Sequence, residues 1–273
     1  MPHAQVNGID IHYRLEGDAP ETLVLVNGLG DDLESWAFQM EDLLAGGLRT
    51  LRFDNRGIGG TSRPAGPYTT KAMAEDAMAL IDHLRLAPVH LLGLSMGGMI
   101  AQEIALARGE GVRSLVLAAT YAAPGPYCTR MFRMWDDMAK AGGMGLSLRD
   151  VLLHCFTPRF FADEPALAEE YEKAFAAIPM TTESYRAQVS AILTHDTSAR
   201  LARLSAPTLV LAGEEDVLIP VELSRALARL IPGAEFKTLP GAHAFLWEHP
   251  KPFNRAVLEF VSRQREDRQD GAE

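Results

Sequence analysis

The 273 residues, 47% hydrophobic and 23% charged, are enough for one large globular core, so disorder is excluded as the default state. A formal charge of −10 with no local Lys/Arg cluster argues against nucleic acid or an anionic membrane surface as partner. Two cysteines, Cys128 and Cys155, are too few for a disulfide framework or a cysteine metal site and are expected to pack as small apolar groups.

In chain order, the amino terminus MPHAQVNGIDIHYR lacks the basic start and apolar stretch of a secretory signal, which makes the cytoplasm the expected compartment. Later apolar runs are broken by Gly, Pro or charge well before the ~18 residues of a membrane span. Asn7-Gly8 tolerates positive φ between two alternating runs, which predicts an opening hairpin. A strand TLVLV follows, ending at Asn27-Gly28. Next come an amphipathic stretch from Trp36 to Leu44, a strand TLRF, and a helix with Met73, Ala77, Leu80, Ile81 and Leu84 on one face. The strand VHLLGL leads into a helix starting near Ser95, with Ile100, Ala101, Ile104 and Ala105 inward, and then into the strand SLVLAA. Continuous apolar strands separated by helices predict a mostly parallel sheet covered on both faces.

The alternation stops at about Tyr121. From 121 to 205 the pattern is helical and punctuated by Pro124, Pro126, Gly142, Gly143, Pro158, Pro165 and Pro179, as expected of an inserted helical lid. It resumes with PTLVLAG, a helix carrying Leu223, Ala226, Leu227 and Leu230, the strand AEFKTL, and a last helix with Phe253, Val257, Phe260 and Val261. The reading is an α/β core over 1–120 and 206–263, a helical insertion over 121–205, and a flexible tail over 264–273, where no apolar anchor occurs.

Gly93-Leu94-Ser95-Met96-Gly97 fits G-x-S-x-G between a strand and a helix. Side chains at Gly93 and Gly97 would collide with the neighbouring strand and helix. The turn lifts the Ser95 hydroxyl from the sheet and sets backbone amides at a helix start near developing negative charge. A Ser hydroxyl is a weak nucleophile and needs a base, which needs an orienting acid. In this architecture the acid and then the His are expected in loops after later strands. Asp216 sits deepest in the turn after TLVLAG, ahead of Val217 and Ile219, whereas Glu214 and Glu215 are expected on the surface. His243 follows Gly241 in a tight loop; His249 precedes Pro250 at the start of the last helix. His3, His12, His83, His90, His154 and His195 are read as ordinary surface or core. No metal-ligand spacing such as H-E-x-x-H occurs, so neither metal nor cofactor is expected.

NGLGDDLESW, FDNRGIGGTSRP, GLSMGGMIAQ, LAGEEDVLIP and PGAHAFLWEHP resemble the motifs of the α/β-hydrolase family in order and separation, over nearly the whole chain outside the insertion. The resemblance implies Ser95 as nucleophile, His243 as general base and then acid, Asp216 as orienting carboxylate, and an oxyanion hole from the Leu29 and Met96 amides. Where many relatives carry His-Gly, this chain has Asn27-Gly28, with Asn27 expected to hold the loop and to lie near substrate. The Asn-x-Leu-Gly form is most similar to enol-lactonases of the 3-oxoadipate type and related small-ester hydrolases.

Asp31 and Asp32 are expected as exposed loop carboxylates; pointing inward, they would make the cleft unfriendly to an anionic substrate. DNRGIGGTS departs from a dinucleotide loop, since Ser62 holds the third glycine position; Asp54 and Arg56 are expected to brace the backbone there. Met131, Met134, Trp135 and Met138 form an apolar stripe that packs the insertion on the body or roofs an apolar pocket, and Phe245, Leu246 and Trp247, beside His243, have the same two roles open to them. The expected function is cofactor-free serine hydrolysis of a small, largely apolar ester or lactone. Carbon–carbon hydrolysis, perhydrolysis, a lyase step, or ligand binding without catalysis on the same scaffold stand as alternatives. The sequence leaves the oligomeric state open.

Overall fold

The computed structural model describes residues 2–270, with side chains through residue 265. Asn7 and Gly8, at φ 48° and 77°, close the hairpin between β1 (His3–Val6) and β2 (Ile9–Glu16). β3 (Thr22–Val26) runs into a short 3₁₀ turn at Leu33–Trp36 and then α1 (Ala37–Ala45). β4 (Arg49–Phe53), α2 (Thr70–His83), β5 (Val89–Leu94), α3 (Met96–Arg108) and β6 (Val112–Ala118) continue the alternation.

Eight strands of the described residues form one sheet in the order β1-β2-β4-β3-β5-β6-β7-β8, with β7 at Thr208–Gly213 and β8 at Glu235–Leu239. The β1/β2 and β2/β4 pairs are antiparallel and the rest parallel. Every residue of β3, β5 and β7 is buried. Successive side chains point to opposite faces, so both faces of the central sheet must be covered. The edge strand β8 instead alternates, exposing Glu235 and Lys237. The strand order reverses at β3, which has β4 on one side and β5 on the other. A crevice opens at the carboxyl ends of strands flanking such a reversal. The loop from Asn27 and the turn at Ser95 both begin there.

Between β6 and β7 the chain adds α4 (Gly125–Gly142), α5 (Met144–Cys155), α6 (Pro158–Asp163), α7 (Pro165–Ala177) and α8 (Thr182–Thr194). β6 pairs directly with β7, so this excursion leaves the sheet continuous. α9 (Val221–Leu230), the short α10 (Phe245–Glu248) and α11 (Pro250–Asp270) complete the chain. No helix among the described residues is long and apolar enough to cross a membrane.

α11 continues to Asp270, through the positions where a tail was expected from 264. A polar anchor replaces the missing apolar one: Arg265 pairs with Glu21 and donates to the carbonyls of Gly47 at 2.7 Å and Gly46 at 3.3 Å. Positions 271–273 of that expected tail lie outside the described residues.

Two glycines separate close packing from mere helix propensity. A Cβ at Gly97 would run into the carbonyl oxygen of Val26, whereas one at Gly145, on α5, would meet nothing within 4 Å. Gly97→Ala is expected to cost about 3 kcal/mol or more, because the obstacle is backbone. Gly145→Ala is expected to gain about 0.5 kcal/mol from helix propensity. Urea unfolding of the two variants beside the parent measures both.

Candidate active site

Ser95 joins β5 to α3 with φ 53° and ψ −116°, a strained conformation for a side-chain-bearing residue. The surroundings hold it there. Its amide donates to the Ala118 carbonyl at 2.8 Å; its carbonyl accepts from the amides of Gly98 and Met99 and from the Thr120 hydroxyl at 2.8 Å. A Cβ at Gly93 would collide with the Gly97 carbonyl. The glycines at both ends of G-x-S-x-G are therefore sites of backbone contact. Met96 opens α3 with its side chain in the core, and its amide lies in the helix's first turn, where N–H groups lack intrahelical partners.

Asp216 and His243 come from the loops after β7 and β8. His243 Nδ1 is 2.8 Å from Asp216 Oδ2, and Asp216 Oδ1 accepts from the amides of Leu218 at 2.9 Å and Ile219 at 2.8 Å. Both side chains are buried. A carboxylate beside Nδ1 favours the tautomer with the proton on that nitrogen, leaving the Nε2 lone pair available as a base. Glu248 of α10 braces the loop by accepting from the Ala242 amide at 2.8 Å, while the Ala244 amide donates to the Cys155 carbonyl at 2.8 Å. Glu214 and Glu215 are exposed, as expected.

Ser95 and His243 line one cavity of about 30 Å³. Gly28, Leu29, Leu94, Met99 and Leu218 contribute from the body; Phe132 and Trp135 of α4, Val151 and Cys155 of α5, Phe175 of α7 and Ile192 of α8 contribute from the insertion. Of the five expected contact residues, Trp135 is in the wall and the other four are not. Met131 is buried without lining the cavity, and Met134 is exposed. The inward face of α4 runs through Cys128, Met131, Phe132, Trp135 and Ala139, a helical spacing equally open to the sequence. Phe245 packs edge-on against Phe253 in the core, and Trp247 takes the place beside the cavity, its indole donating to the Ser35 carbonyl at 2.8 Å.

Asn27 is the fourth correction, since it lies outside the cavity lining. Its Nδ2 donates to the carbonyls of Phe53 at 3.0 Å and Asp31 at 3.3 Å, and its Oδ1 accepts from the Trp36 indole at 2.6 Å. Both ends of the amide are spent on shaping the loop that carries Gly28 and Leu29. Asp54 braces it further, accepting from the amides of Leu33 and Gly60 and pairing with His12. Arg56 forms a two-pronged ion pair with Asp76.

Of the two loop acids, Asp32 caps the 3₁₀ turn through the Glu34 amide at 3.0 Å, but Asp31 is buried and lines the cavity. Burial pushes the Asp31 carboxyl up to about 7; neighbouring Asp32 adds to the rise, and His243 and the Gly28 amide oppose it. Cys155 across the cavity is likewise pushed well above the usual thiol range by burial and nearby carboxylates. Among the described residues no group of three or more His, Cys, Asp or Glu is arranged to hold a metal ion.

A family model described as the alpha/beta hydrolase fold matches residues 21–250, and the chain belongs to that family. It is an α/β hydrolase. The chain is 32% identical over 261 residues to a protein of Azorhizobium caulinodans named "Putative carbamate hydrolase RutD", covering 95% of this chain and 98% of that one. It is 28% identical to the 3-oxoadipate enol-lactonase 2 of Acinetobacter baylyi, over 93% and 94% of the two chains. The crystal structure of the enol-lactonase from Burkholderia xenovorans superposes with a TM-score of 0.89 at 31% identity, covering 96% of this chain and all of that one.

The hydrogen bonds of Asn27 yield a stability prediction. Asn27→Ala strands the Trp36 indole N–H and the Phe53 carbonyl in the core, and is expected to cost about 2–4 kcal/mol, one to two unsatisfied buried groups. The midpoint of urea unfolding reports it.

Proposed function

We propose that this α/β hydrolase cleaves a small, largely apolar carboxylic ester or lactone through an acyl-enzyme, with Ser95 as nucleophile, His243 as base and then acid, and Asp216 as the carboxylate that orients His243. The observation that carries the reading is the buried Asp216–His243 pair, 2.8 Å apart, whose imidazole shares a cavity with the strained Ser95. A Ser held at φ 53° at a helix start, opposite a His already oriented by a carboxylate, has the relations that acyl transfer requires.

Ser95 Oγ attacks the carbonyl carbon while His243 Nε2 takes its proton. The amides of Leu29 and Met96 are the donors for the resulting oxyanion. The tetrahedral adduct collapses, the C–O bond to the leaving group breaks, and His243 returns the proton to the departing alkoxide. Water, deprotonated by the same imidazole, attacks the acyl-enzyme and releases the acid and free Ser95. In a lactone the leaving oxygen stays tethered to the acyl group and the product is a hydroxy acid.

The largely apolar lining supports an apolar substrate, and the size of the cavity supports a small one. About 30 Å³ suits two or three waters at roughly 10–15 Å³ each. Larger substrates require displacement of residues 121–205, which act as a lid whose α4, α5, α7 and α8 supply six of the sixteen residues in the wall. The names of the relatives add carbamates to the candidates, because a carbamate carbonyl undergoes the same addition and elimination.

The test follows acid release at neutral pH from nitrophenyl esters of rising acyl length, several lactones and a carbamate. Turnover of short esters or lactones is expected, falling by about 10⁴-fold or more in Ser95→Ala and His243→Ala and somewhat less in Asp216→Asn. A fluorophosphonate is expected to add one covalent mass to the parent and none to Ser95→Ala. Folded protein that turns over no member of the panel would overturn the reading.

A further inference from the structure

The mechanism above leaves one buried acid at the cavity unused. Asp31 lies in the loop that follows β3, and its Oδ2 occupies the space a Gly28 side chain would need, 2.6 Å from the position of a Cβ there. It faces the same cavity as Ser95 and His243. Among the described lining residues none is Lys or Arg, and the walls around these polar groups are largely apolar side chains such as Leu94, Phe132, Trp135 and Leu218.

We infer that Asp31 is a specificity-determining residue that sets the charge of the acyl group the site accepts, admitting neutral esters and lactones and rejecting those that carry a carboxylate. The inference rests on the hydrolase reading just given. A substrate carboxylate entering this cavity would leave its hydration shell and find no cationic side chain in the wall. It would instead meet a second carboxylate in a water-poor space, where like charges repel strongly. A neutral acyl chain incurs neither cost. The carboxyl also lies against the loop that carries the Leu29 amide, so a mis-charged substrate is opposed close to the carbonyl to be attacked.

The charge of Asp31 changes in the neutral range, which gives the selectivity a pH dependence. With its carboxyl raised to about 7, Asp31 is neutral in mild acid and anionic above neutrality. The ionisable groups around it are Asp32 on the same loop, His243 from the loop after β8 and Cys155 from α5. Burial keeps the Cys155 thiol protonated throughout this range. Protonation of His243 slows attack on any ester alike, so it cancels from a ratio of two substrates with the same leaving group.

The experiment compares kcat/KM for 4-nitrophenyl butyrate and 4-nitrophenyl hemisuccinate, in which a carboxylate replaces the terminal methyl. It spans about pH 5.5 to 8.5, across the ordinary range of a raised carboxyl, with the parent, Asp31→Asn and Ser95→Ala. The parent is expected to favour butyrate by about tenfold or more in mild alkali, with the preference shrinking several-fold as pH falls below about 6. Asp31→Asn is expected to show a smaller preference, flat above about pH 6, with only the slight change below it that the hemisuccinate's own carboxyl brings. A parent ratio flat with pH, or a folded Asp31→Asn that keeps the parent's pH-dependent ratio, overturns the inference alone. Turnover of both esters that is absent or independent of Ser95 overturns the hydrolase reading and the inference with it. Should Asp31→Asn fail to fold, Asp31→Ser takes its place in the same comparison, because the hemisuccinate carboxyl itself gains protons toward the acid end of the range.

Discussion

The structure depends on how closely the first turn of α3 approaches the sheet. The Val26 carbonyl fills the space beside Gly97, and the Gly97 carbonyl fills the space beside Gly93, so strand, turn and helix meet backbone to backbone. No side chain larger than hydrogen fits at either contact. With both sides fixed, the chain reverses within one residue, and Ser95 takes the positive φ that the reversal demands. The hydrogen bonds to Ala118 and Thr120 then tie the turn to the next strand and the segment beyond it. The local strain is held by packing spread over three strands and a helix.

Within this frame two buried carboxylates meet contrasting environments. Asp216 accepts two amides of its own loop on one oxygen and faces the imidazole of the next loop with the other. Asp31 has the Gly28 amide and otherwise faces an apolar cavity, a neighbouring acid and a thiol. One acid is provided for as an anion and the other is not. The same residue type thus sits in a donor-rich turn in one loop and against a largely apolar wall in the other.

The sequence disclosed most of what depends on backbone and short-range spacing. Apolar runs such as TLVLV gave the buried strands, Asn7-Gly8 the hairpin, and the order of the Ser, Asp and His loops the cluster at the carboxyl edge of the sheet. Helical spacing could not choose between Phe132 and Met134, because each completes a stripe with Met131 and Trp135; only the placement of α4 against the body decides. Phe175 and Ile192 gave no signal, since their partners lie far away in sequence. Asp31 is buried although its position in a polar loop predicts exposure, because loop acids are usually solvated and nothing local marks this one as turned inward. Leu218, two residues past Asp216, could have been found from that spacing. Arg265 shows the limit of reading tails by apolar content, as its anchor is a set of backbone carbonyls.

Gln188 of α8 connects the inserted segment to the body through a single side-chain amide. Its Oε1 accepts from the Gly30 amide at 3.2 Å and its Nε2 donates to the Arg56 carbonyl at 3.0 Å. Gly30 immediately follows Leu29, so α8 and the loop on the floor of the cavity share a fastening. Any outward shift of α8 must break both bonds at once and uncover a wholly buried carboxamide, a penalty of about 1–3 kcal/mol until water replaces them. One carboxamide thus fastens α8 both to the loop beside Leu29 and to the Arg56 backbone, and the two attachments stand or fall together.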